Sequence, residues 1–246
     1  MEDQVDRLTK KCWEKFQVLD PADRFMIAIA GIPGSGKTTL AALITKRLNT
    51  LHADAHPSFV TTPPAAFIPM DGYHLSRAQL SALPDPTTAH FRRGAAFTFD
   101  GSSFLDLVRK LRKPLCPETQ TIYAPSFDHA IKDPVEDDIP IHPYSRILVF
   151  EGNYVALDET PWKEAAVLMD EVWFMDVGED VARERLVSRH VKAGIAKDEE
   201  EAGRRIEGND LVNGRQIVSQ RVKVDEMITS RDDEAWKPER QGVRVN

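Results

Sequence analysis

The chain has 246 residues, of which 41% are apolar and 29% charged, and 39 acidic side chains against 32 basic ones give a formal charge of −7. This composition excludes a broadly disordered protein, because it provides enough apolar surface for a core. The acidic balance argues against a general nucleic-acid binder, and no apolar run approaches the roughly 18 residues that a membrane span needs. We therefore expect no nucleic-acid partner and no membrane partner.

An amphipathic helix is predicted at the start of the chain, over residues 1–20, with Asp20-Pro21 ending it. Its apolar side chains recur at steps of three and four residues: Val5, Leu8, Cys12, Phe16 and Leu19. The stripe indicates core packing or a docking helix. The first residues are polar and acidic, and the two cysteines have no metal or redox spacing. We therefore expect neither a secretory signal nor a transit peptide, and a cytoplasmic location with a nuclear one left open.

Buried strands and helices are predicted to alternate along the rest of the chain. The strands are expected at 25–30, 66–70, 146–150 and 172–176, and the helices after residue 36 and at 101–112, 179–193 and roughly 198–220. Ser103 and Asp106 are expected to cap the helix at 101–112. Long loops are predicted at 51–65, 84–98 and 113–145, and residues 231–246 form a polar tail. Strands separated by helices favour an α/β fold with a doubly wound, mostly parallel sheet.

The strongest motif lies between the first strand and its helix. It reads Gly31-Ile-Pro-Gly-Ser-Gly36-Lys37-Thr38 and fits the phosphate-binding loop pattern at every fixed position. Glycines let consecutive N–H groups point at phosphate oxygens, the lysine reaches the β- and γ-phosphates, and the threonine hydroxyl binds Mg²⁺. The residues predicted to bind the nucleotide are Gly31, Pro33, Gly34, Ser35, Gly36, Lys37, Thr38 and Thr39.

Missing motifs narrow the class of nucleotide-binding protein. The sequence has no Asn-Lys-x-Asp element for reading guanine and no Ser-Gly-Gly-Gln signature. The acidic residue that ends the later apolar strand is part of Glu151-Gly152 and not of an Asp-Glu pair. A GTPase, a motor and a transporter ATPase are therefore disfavoured.

Two carboxylates follow predicted strands, at the sheet edge where open parallel sheets bind ligands. Asp71 comes directly after the second strand and Glu151 after the third. A carboxylate at this edge can take the proton of an attacking hydroxyl or hold Mg²⁺ through water. For Asp71 alone, a simple Asp-Gly turn is the competing interpretation. The predicted metal ligands are Thr38, Glu151 and Asp71.

Together these motifs resemble the P-loop kinases that comprise uridine kinase, phosphoribulokinase and bacterial-type pantothenate kinase. The resemblance extends from residue 25 to about 193, and its further elements are Met70–His74, Arg93-Gly94, Thr98–Asp100, Pro125–His129 with Asp133, Glu151–Tyr154 and the arginines after Asp180. It implies the P-loop nucleoside triphosphate hydrolase fold, with ATP and Mg²⁺ as cofactors and γ-phosphoryl transfer to a small-molecule hydroxyl. It also implies a single domain with its core at 25–225 and a helical lid near 183–215.

The resemblance assigns roles to further side chains. Asp71 matches the base for the acceptor hydroxyl, beside Lys37 as a catalytic cation. The residues that would contact the acceptor are Tyr73, His74, Arg93, Phe127, Asp128, His129 and Tyr154. The segment Phe127-Asp128-His129 mixes two patterns, because the aspartate follows the uridine kinases and the histidine follows the pantothenate kinases.

Arginines in the lid are the remaining catalytic candidates. Arg185 and Arg189 are four residues apart and so share one helix face, where they could neutralise charge on the transferred phosphoryl group. The alternative is a solvated face paired with Glu184 or with the acidic run 198–201. Further on, Asn209-Asp210 and Asn213-Gly214 interrupt the helix pattern and fit a turn, a lid hinge or a contact with adenine.

Two classes of function are left open. The first is a kinase for a uridine-like nucleoside, with pantothenate or a fructose-like sugar as alternative acceptors. The second is an ATP-binding switch or ATPase without a metabolic acceptor, which the two carboxylates disfavour. A homo-oligomer is also left open.

Overall fold

The computed structural model describes residues 1–57 and 62–231. Five parallel strands form the central sheet in the order β2-β5-β1-β6-β7. Their bounds are β1 Phe25–Gly31, β2 Ala65–Pro69, β5 Ile147–Glu151, β6 Glu171–Asp176 and β7 Glu226–Thr229. The helices are α1 Glu2–Gln17, α2 Lys37–Ala55, α3 Arg77–Ser81, α4 Pro86–Phe91, α5 Gly101–Leu111, α6 Trp162–Val167, α7 Glu179–Lys192, α8 Glu199–Arg205 and α9 Leu211–Ser219.

Strand β1 shows why the apolar run at 25–30 has no polar alternation. Met26, Ala28 and Ala30 pack into one core layer, and Phe25, Ile27 and Ile29 pack into the other. Because both faces of the strand are covered, every position must be apolar. The predicted doubly wound, mostly parallel sheet is confirmed, and its four predicted strands lie within one residue of their expected positions at each end.

Helix α1 uses its apolar stripe for core packing. Val5, Leu8 and Cys12 are fully buried in the layer that also contains α2. Of the two readings of this stripe, core packing is therefore the one the structure supports. The helix ends at Gln17, a turn before the predicted Asp20-Pro21 stop.

Residues 113–145 are a β-hairpin for much of their length, so the prediction of a long loop there is wrong. Strands β3 Ile122–Asp128 and β4 Asp133–Ile141 pair antiparallel with each other. Pro125, Pro134 and Pro140 obscured them, because proline is expected to be excluded from strands. A two-stranded ribbon tolerates proline, since each strand has an edge that needs no partner.

Three smaller predictions also differ from the structure. The predicted loop 84–98 contains α4 and a 3₁₀ turn, and α2 extends into the predicted loop 51–65. Helix α5 is capped by Asp100, whose carboxylate accepts from Ser103 N, so Ser103 and Asp106 are not its capping pair. Strand β7 was not predicted. Apart from Arg231, the predicted tail 231–246 lies outside the described residues.

Helices α7, α8 and α9 form the region predicted as the lid, and this region has a small core of its own. A π-helical segment, Ile206–Asp210, joins α8 to α9 without a break. The turn reading of Asn213-Gly214 is wrong, because both residues are buried inside α9. The turn was predicted because Asn-Gly is a common turn dipeptide, whereas the structure continues the helix through it.

Candidate active site

The phosphate-binding loop begins at the last residue of β1 and runs into the first turn of α2. Gly34 and Gly36 adopt φ values of +81° and +90°, which side chains with a Cβ rarely adopt. Ser35 N donates to Ile32 O at 3.1 Å and closes the turn. No side chain caps α2, and its first turn contains no acidic residue. The N–H groups of this helix start therefore suit an anion, as predicted for residues 31–39.

Lys37 and Glu151 meet inside this cradle. Lys37 Nζ lies 3.8 Å from Glu151 Oε1 and 3.5 Å from Ile32 O. The Thr38 hydroxyl is close enough to the Glu151 carboxylate to lower the pKa of that carboxyl. Burial lowers the pKa of Lys37, an effect that the charges of Glu151 and Asp71 oppose. Burial also raises the pKa of Glu151 to about 7, although Lys37 acts in the opposite direction.

Asp71 faces the same cradle from the neighbouring strand. It lies in the 3₁₀ turn Met70–Tyr73 that directly follows β2, and it is half-buried. Its negative charge raises the pKa of both Lys37 and Glu151, so the three groups share one electrostatic environment. Strand β5, which ends at Glu151, pairs with both β2 and β1. The predicted convergence of these side chains at one sheet edge is therefore present.

A hard divalent cation suits this arrangement of groups. A hydroxyl and two carboxylates are the oxygen ligands that Mg²⁺ takes beside nucleotide phosphates and water. Within residues 1–57 and 62–231, no cluster of three or more metal-binding side chains occurs. Thr38, Glu151 and Asp71 would thus hold the metal together with the nucleotide, and not as a complete protein cage.

The two lid arginines occupy different positions beside the loop. The charge of Arg189 lowers the pKa of Lys37 and of Glu151, which places its guanidinium near the cradle. Arg185 Nη1 donates to Gly34 O at 3.2 Å and to Ser230 Oγ at 2.9 Å. Arg185 thus binds the backbone of the phosphate loop, whereas Arg189 is exposed.

An aromatic cluster lies on the other side of Asp71. His74 Nδ1 is 2.8 Å from the backbone oxygen of Asp71, and its ring centroid lies 4.0 Å from Phe99 and 4.8 Å from Phe127. The His129 ring is 5.0 Å from that of Phe127. Burial lowers the pKa of His74. The predicted acceptor residues His74, Phe127 and His129 are therefore brought together.

Arg93 and Asp128 hold the hairpin in place. Arg93 Nη2 donates to Asp133 Oδ1 at 3.0 Å and to Leu75 O at 2.9 Å, and its guanidinium lies 5.4 Å from the Phe127 ring. Asp128 Oδ1 accepts from Ala130 N at 2.7 Å in the hairpin turn. These two side chains shape the acceptor side through contacts within the protein.

Two tyrosines predicted at the acceptor site are part of the core. Tyr73 is 6% exposed and stacks edge-on against Phe104 at 5.3 Å. Tyr154 is fully buried, and its hydroxyl donates to Gly94 O at 2.9 Å. Burial raises the pKa of both phenols. Their rings position the neighbouring backbone and do not line an open acceptor cavity.

Sequence reasoning missed a polar network between the loop after α4 and the lid. Arg92 donates to Asn209 and Asn213, and Asp210 lies 3.2 Å from His190 on α7. The pair Asn209-Asp210 stands out in the sequence because it interrupts a helix pattern. No local pattern points to Arg92, because its partners are more than one hundred residues away along the chain.

In the part of the chain that the structure describes, no helix is long and apolar enough to cross a membrane.

Comparison with known proteins agrees with this geometry. The family model described as "Phosphoribulokinase / Uridine kinase family" matches residues 26–208. An "ATP-dependent kinase-like protein notR'" of Aspergillus versicolor is 55% identical over 159 residues, which is 65% of this chain and 92% of that protein. A Schizosaccharomyces pombe protein named "Putative uridine kinase C227.14" is 42% identical, over 80% of this chain and 79% of that protein.

A solved structure is similar over nearly the whole chain. It is that of a "putative fructose transport system kinase" from Silicibacter sp. TM1040, with 29% identity and a TM-score of 0.74. The match covers 91% of this chain and 98% of that one. The phosphate loop, the two carboxylates at the sheet edge and these similarities lead to one conclusion: the chain is a P-loop kinase and belongs to the phosphoribulokinase and uridine kinase family.

Proposed function

We propose that the protein transfers the γ-phosphoryl group of ATP to a hydroxyl group of a small-molecule acceptor, with a uridine-like nucleoside as the first candidate. The observation that carries the proposal is the position of Asp71, beside the buried Lys37–Glu151 pair and at the start of the aromatic cluster. A carboxylate between a phosphate cradle and a separate binding surface is what a transfer reaction needs. A pure nucleotide switch gains nothing from it.

The side chains divide the reaction between them. Asp71 accepts the proton of the acceptor hydroxyl while that oxygen attacks the γ-phosphorus and the bond to the β-phosphate oxygen breaks. ADP and the phosphorylated acceptor are released, and Asp71 returns its proton to water. Lys37 and Arg189 neutralise charge on the transferred group. Thr38, Glu151 and Asp71 would hold Mg²⁺, which supplies positive charge at the phosphate oxygens when bound.

Rings on the acceptor side favour a flat or partly apolar acceptor. His74 and Phe127, which are partly exposed, offer an aromatic surface beside Asp71, and the buried Phe99 packs against His74. A nucleobase stacks well on such a surface, which supports a nucleoside. The name of the S. pombe relative favours the same class.

A fructose-like sugar is the second candidate because of the name of the similar Silicibacter structure. Pantothenate is the third, on the histidine pattern at His129.

An acceptor panel tests the proposal. ATP consumption is measured with Mg²⁺ and, in turn, uridine, cytidine, fructose, other sugars and pantothenate. We expect one acceptor to stimulate ADP formation strongly and to appear as its phosphate ester by mass spectrometry. Equal slow hydrolysis with every compound would instead support the ATPase or switch class.

Substitution of Asp71 tests the chemistry. Asp71→Asn keeps the size of the side chain and removes the base, so transfer should fall by about 10²- to 10⁴-fold while ATP binding changes little. The matched control is Asp106→Asn, an exposed carboxylate on α5. If Asp71→Asn retains wild-type transfer, Asp71 is not the base.

A further inference from the structure

A closed set of hydrogen bonds joins the loop after α4 to the lid. Arg92 Nε donates to Asn209 Oδ1 at 3.0 Å, and Arg92 Nη2 donates to Asn213 Oδ1 at 2.7 Å. Asn213 Nδ2 donates to Asn209 Oδ1 at 3.2 Å, and Asn209 Nδ2 donates to the backbone oxygen of Arg93 at 3.0 Å. Both asparagines are 2% exposed. Breaking these bonds is therefore costly, because the buried amides would have no water to replace them.

Residues 92–98 are bound on their other side to the segment that carries Asp71. Leu75 N donates to Thr98 O at 2.8 Å, and Gly94 N donates to Thr98 Oγ1 at 2.9 Å. His74 and Phe99 form a β-bridge, and their ring centroids lie 4.0 Å apart. A displacement of this loop therefore reaches the aromatic cluster and the residues next to Asp71 directly.

The lid end of the network lies close to the phosphate cradle. Asp210 follows Asn209 in the π-helical segment, and its carboxylate lies 3.2 Å from His190 Nε2 on α7. The charge of Asp210 acts on Lys37. Helix α7 also carries Arg189, which acts on the same lysine. The two asparagines are thus part of the structure that would move when the lid closes on a nucleotide.

A second contact joins the same two regions. The Phe91 ring, at the end of α4, lies against Gly208, where an added Cβ would come within 3.0 Å of Phe91 Cζ. Gly208 lies in the π-helical segment together with Asn209. The absence of a side chain at position 208 therefore lets the loop and the lid approach closely enough for Arg92 to reach both asparagines.

We propose that Arg92, Asn209 and Asn213 are positioning residues that couple the acceptor loop to the nucleotide state of the lid. When the lid closes on ATP, the network orders residues 92–98 beside Asp71, so the acceptor surface is completed only when the phosphoryl donor is present. Such an order limits wasteful hydrolysis of ATP. The proposal rests on the proposed function, because it requires ATP at the phosphate loop.

Hydrogen exchange of the full chain, with and without Mg²⁺ and the non-hydrolysable analogue AMP-PNP, tests the coupling without a known acceptor. In the wild type we expect the analogue to slow exchange in the phosphate loop and the lid and also, several-fold, in residues 92–98. Arg92→Lys keeps the charge but carries its donors on a single nitrogen, so it does not reproduce the separate Nε and Nη2 bonds to the two asparagine oxygens. In that variant and in Asn213→Ala, protection of the phosphate loop should persist and protection of 92–98 should be lost.

Two further variants separate coupling from simple stabilisation. Asn213→Asp keeps an acceptor for Arg92 but loses the amide that donates to Asn209 Oδ1, so protection of 92–98 should lie between that of the wild type and that of Asn213→Ala. Arg204→Ala removes an exposed ion pair with Glu200 on the same lid and should retain the wild-type protection. Amides of β1 report whether each variant is folded.

The coupling is overturned if the analogue does not slow exchange of residues 92–98 in the wild type. It is also overturned if the analogue slows their exchange in Arg92→Lys and Asn213→Ala as much as it does in the wild type. If the analogue does not slow exchange even at the phosphate loop of the wild type, the proposed function itself is overturned.

Discussion

The phosphate cradle around Lys37 and the aromatic surface around His74 lie on opposite sides of Asp71, and different contacts hold them. The cradle is a local structure, in which five consecutive residues connect β1 to α2 and the glycines set the backbone path. The acceptor side is assembled from the turn after β2, the loop after α4 and the β3–β4 hairpin. A local structure is fixed by its own sequence, whereas an assembled one depends on distant partners and can change more easily.

Removing the cradle cation should have the largest effect on activity. Lys37→Ala deletes the buried ammonium that faces the transferred phosphate, and we expect kcat/KM for ATP to fall by about 10³-fold. Lys46→Ala, on the exposed face of the same helix, is the control and should leave the rate within about twofold. A loss below tenfold in the Lys37 variant would mean that the cradle does not bind the transferred phosphate.

A substitution at Gly72 should affect the acceptor side alone. A Cβ at this position would come within 2.1 Å of the backbone oxygen of Pro125, so strand β3 would have to move away from the turn that contains Asp71. A displacement of about 1 Å can cost about 10²-fold, and we expect that loss in kcat/KM for the acceptor with the KM for ATP unchanged. Gly178→Ala, where an added Cβ meets nothing within 4 Å, is the control. Equal losses for both substrates would contradict the separation of the two sides.

The pH dependence of nucleotide binding tests the electrostatics of the cradle. Burial raises the pKa of Glu151 to about 7, so the free protein carries a proton there at pH 6. Binding of Mg²⁺ with ATP requires the carboxylate, so affinity should fall as pH drops through 7, by up to about tenfold per unit. Calorimetric titrations between pH 6 and 8.5 measure this dependence.

Glu151→Gln is the matched control for that titration. It cannot bind or release a proton, so its remaining pH dependence belongs to the other groups in the complex, among them the ATP phosphates and Lys37. We expect the variant to bind Mg²⁺ and ATP more weakly than the wild type at pH 8 and to show a shallower pH dependence. Equal slopes for both proteins would mean that Glu151 does not titrate in this range.

Loss of one ring from the aromatic surface should have the smallest effect. Phe127→Ala removes a ring 4.8 Å from His74, and an aromatic contact of this kind contributes about 0.5–1.5 kcal/mol. We therefore expect the KM for the acceptor to rise by about two- to tenfold, with kcat and the KM for ATP little changed. Tyr123→Ala, half-exposed on the same hairpin, is the control. An increase of more than a hundredfold would assign Phe127 a role beyond stacking.

The same contrast explains what could be predicted from the sequence. Strands β1, β2, β5 and β6, the phosphate loop and the positions of Asp71 and Glu151 were predictable because each depends on a short local pattern. The β3–β4 hairpin was not, since its three prolines mimic a loop. Arg93 was predicted as a site residue because it belongs to a motif of the family. Its ion pair with Asp133 was not predictable, because it depends on the fold of the hairpin. Arg92 was missed for the same reason, because its partners lie in the lid.

The arrangement of β2 and β5 has a consequence for how such proteins diversify. These strands are hydrogen-bonded neighbours in the sheet, although residues 70–146 separate them along the chain. The intervening stretch leaves the sheet at the end of β2, beside Glu151, and returns to it at the opposite edge, at the start of β5. Beyond the turn that holds Asp71, evolution can lengthen, shorten or replace this stretch without reordering any strand, so a new specificity can arise while the phosphate loop and Glu151 are inherited intact.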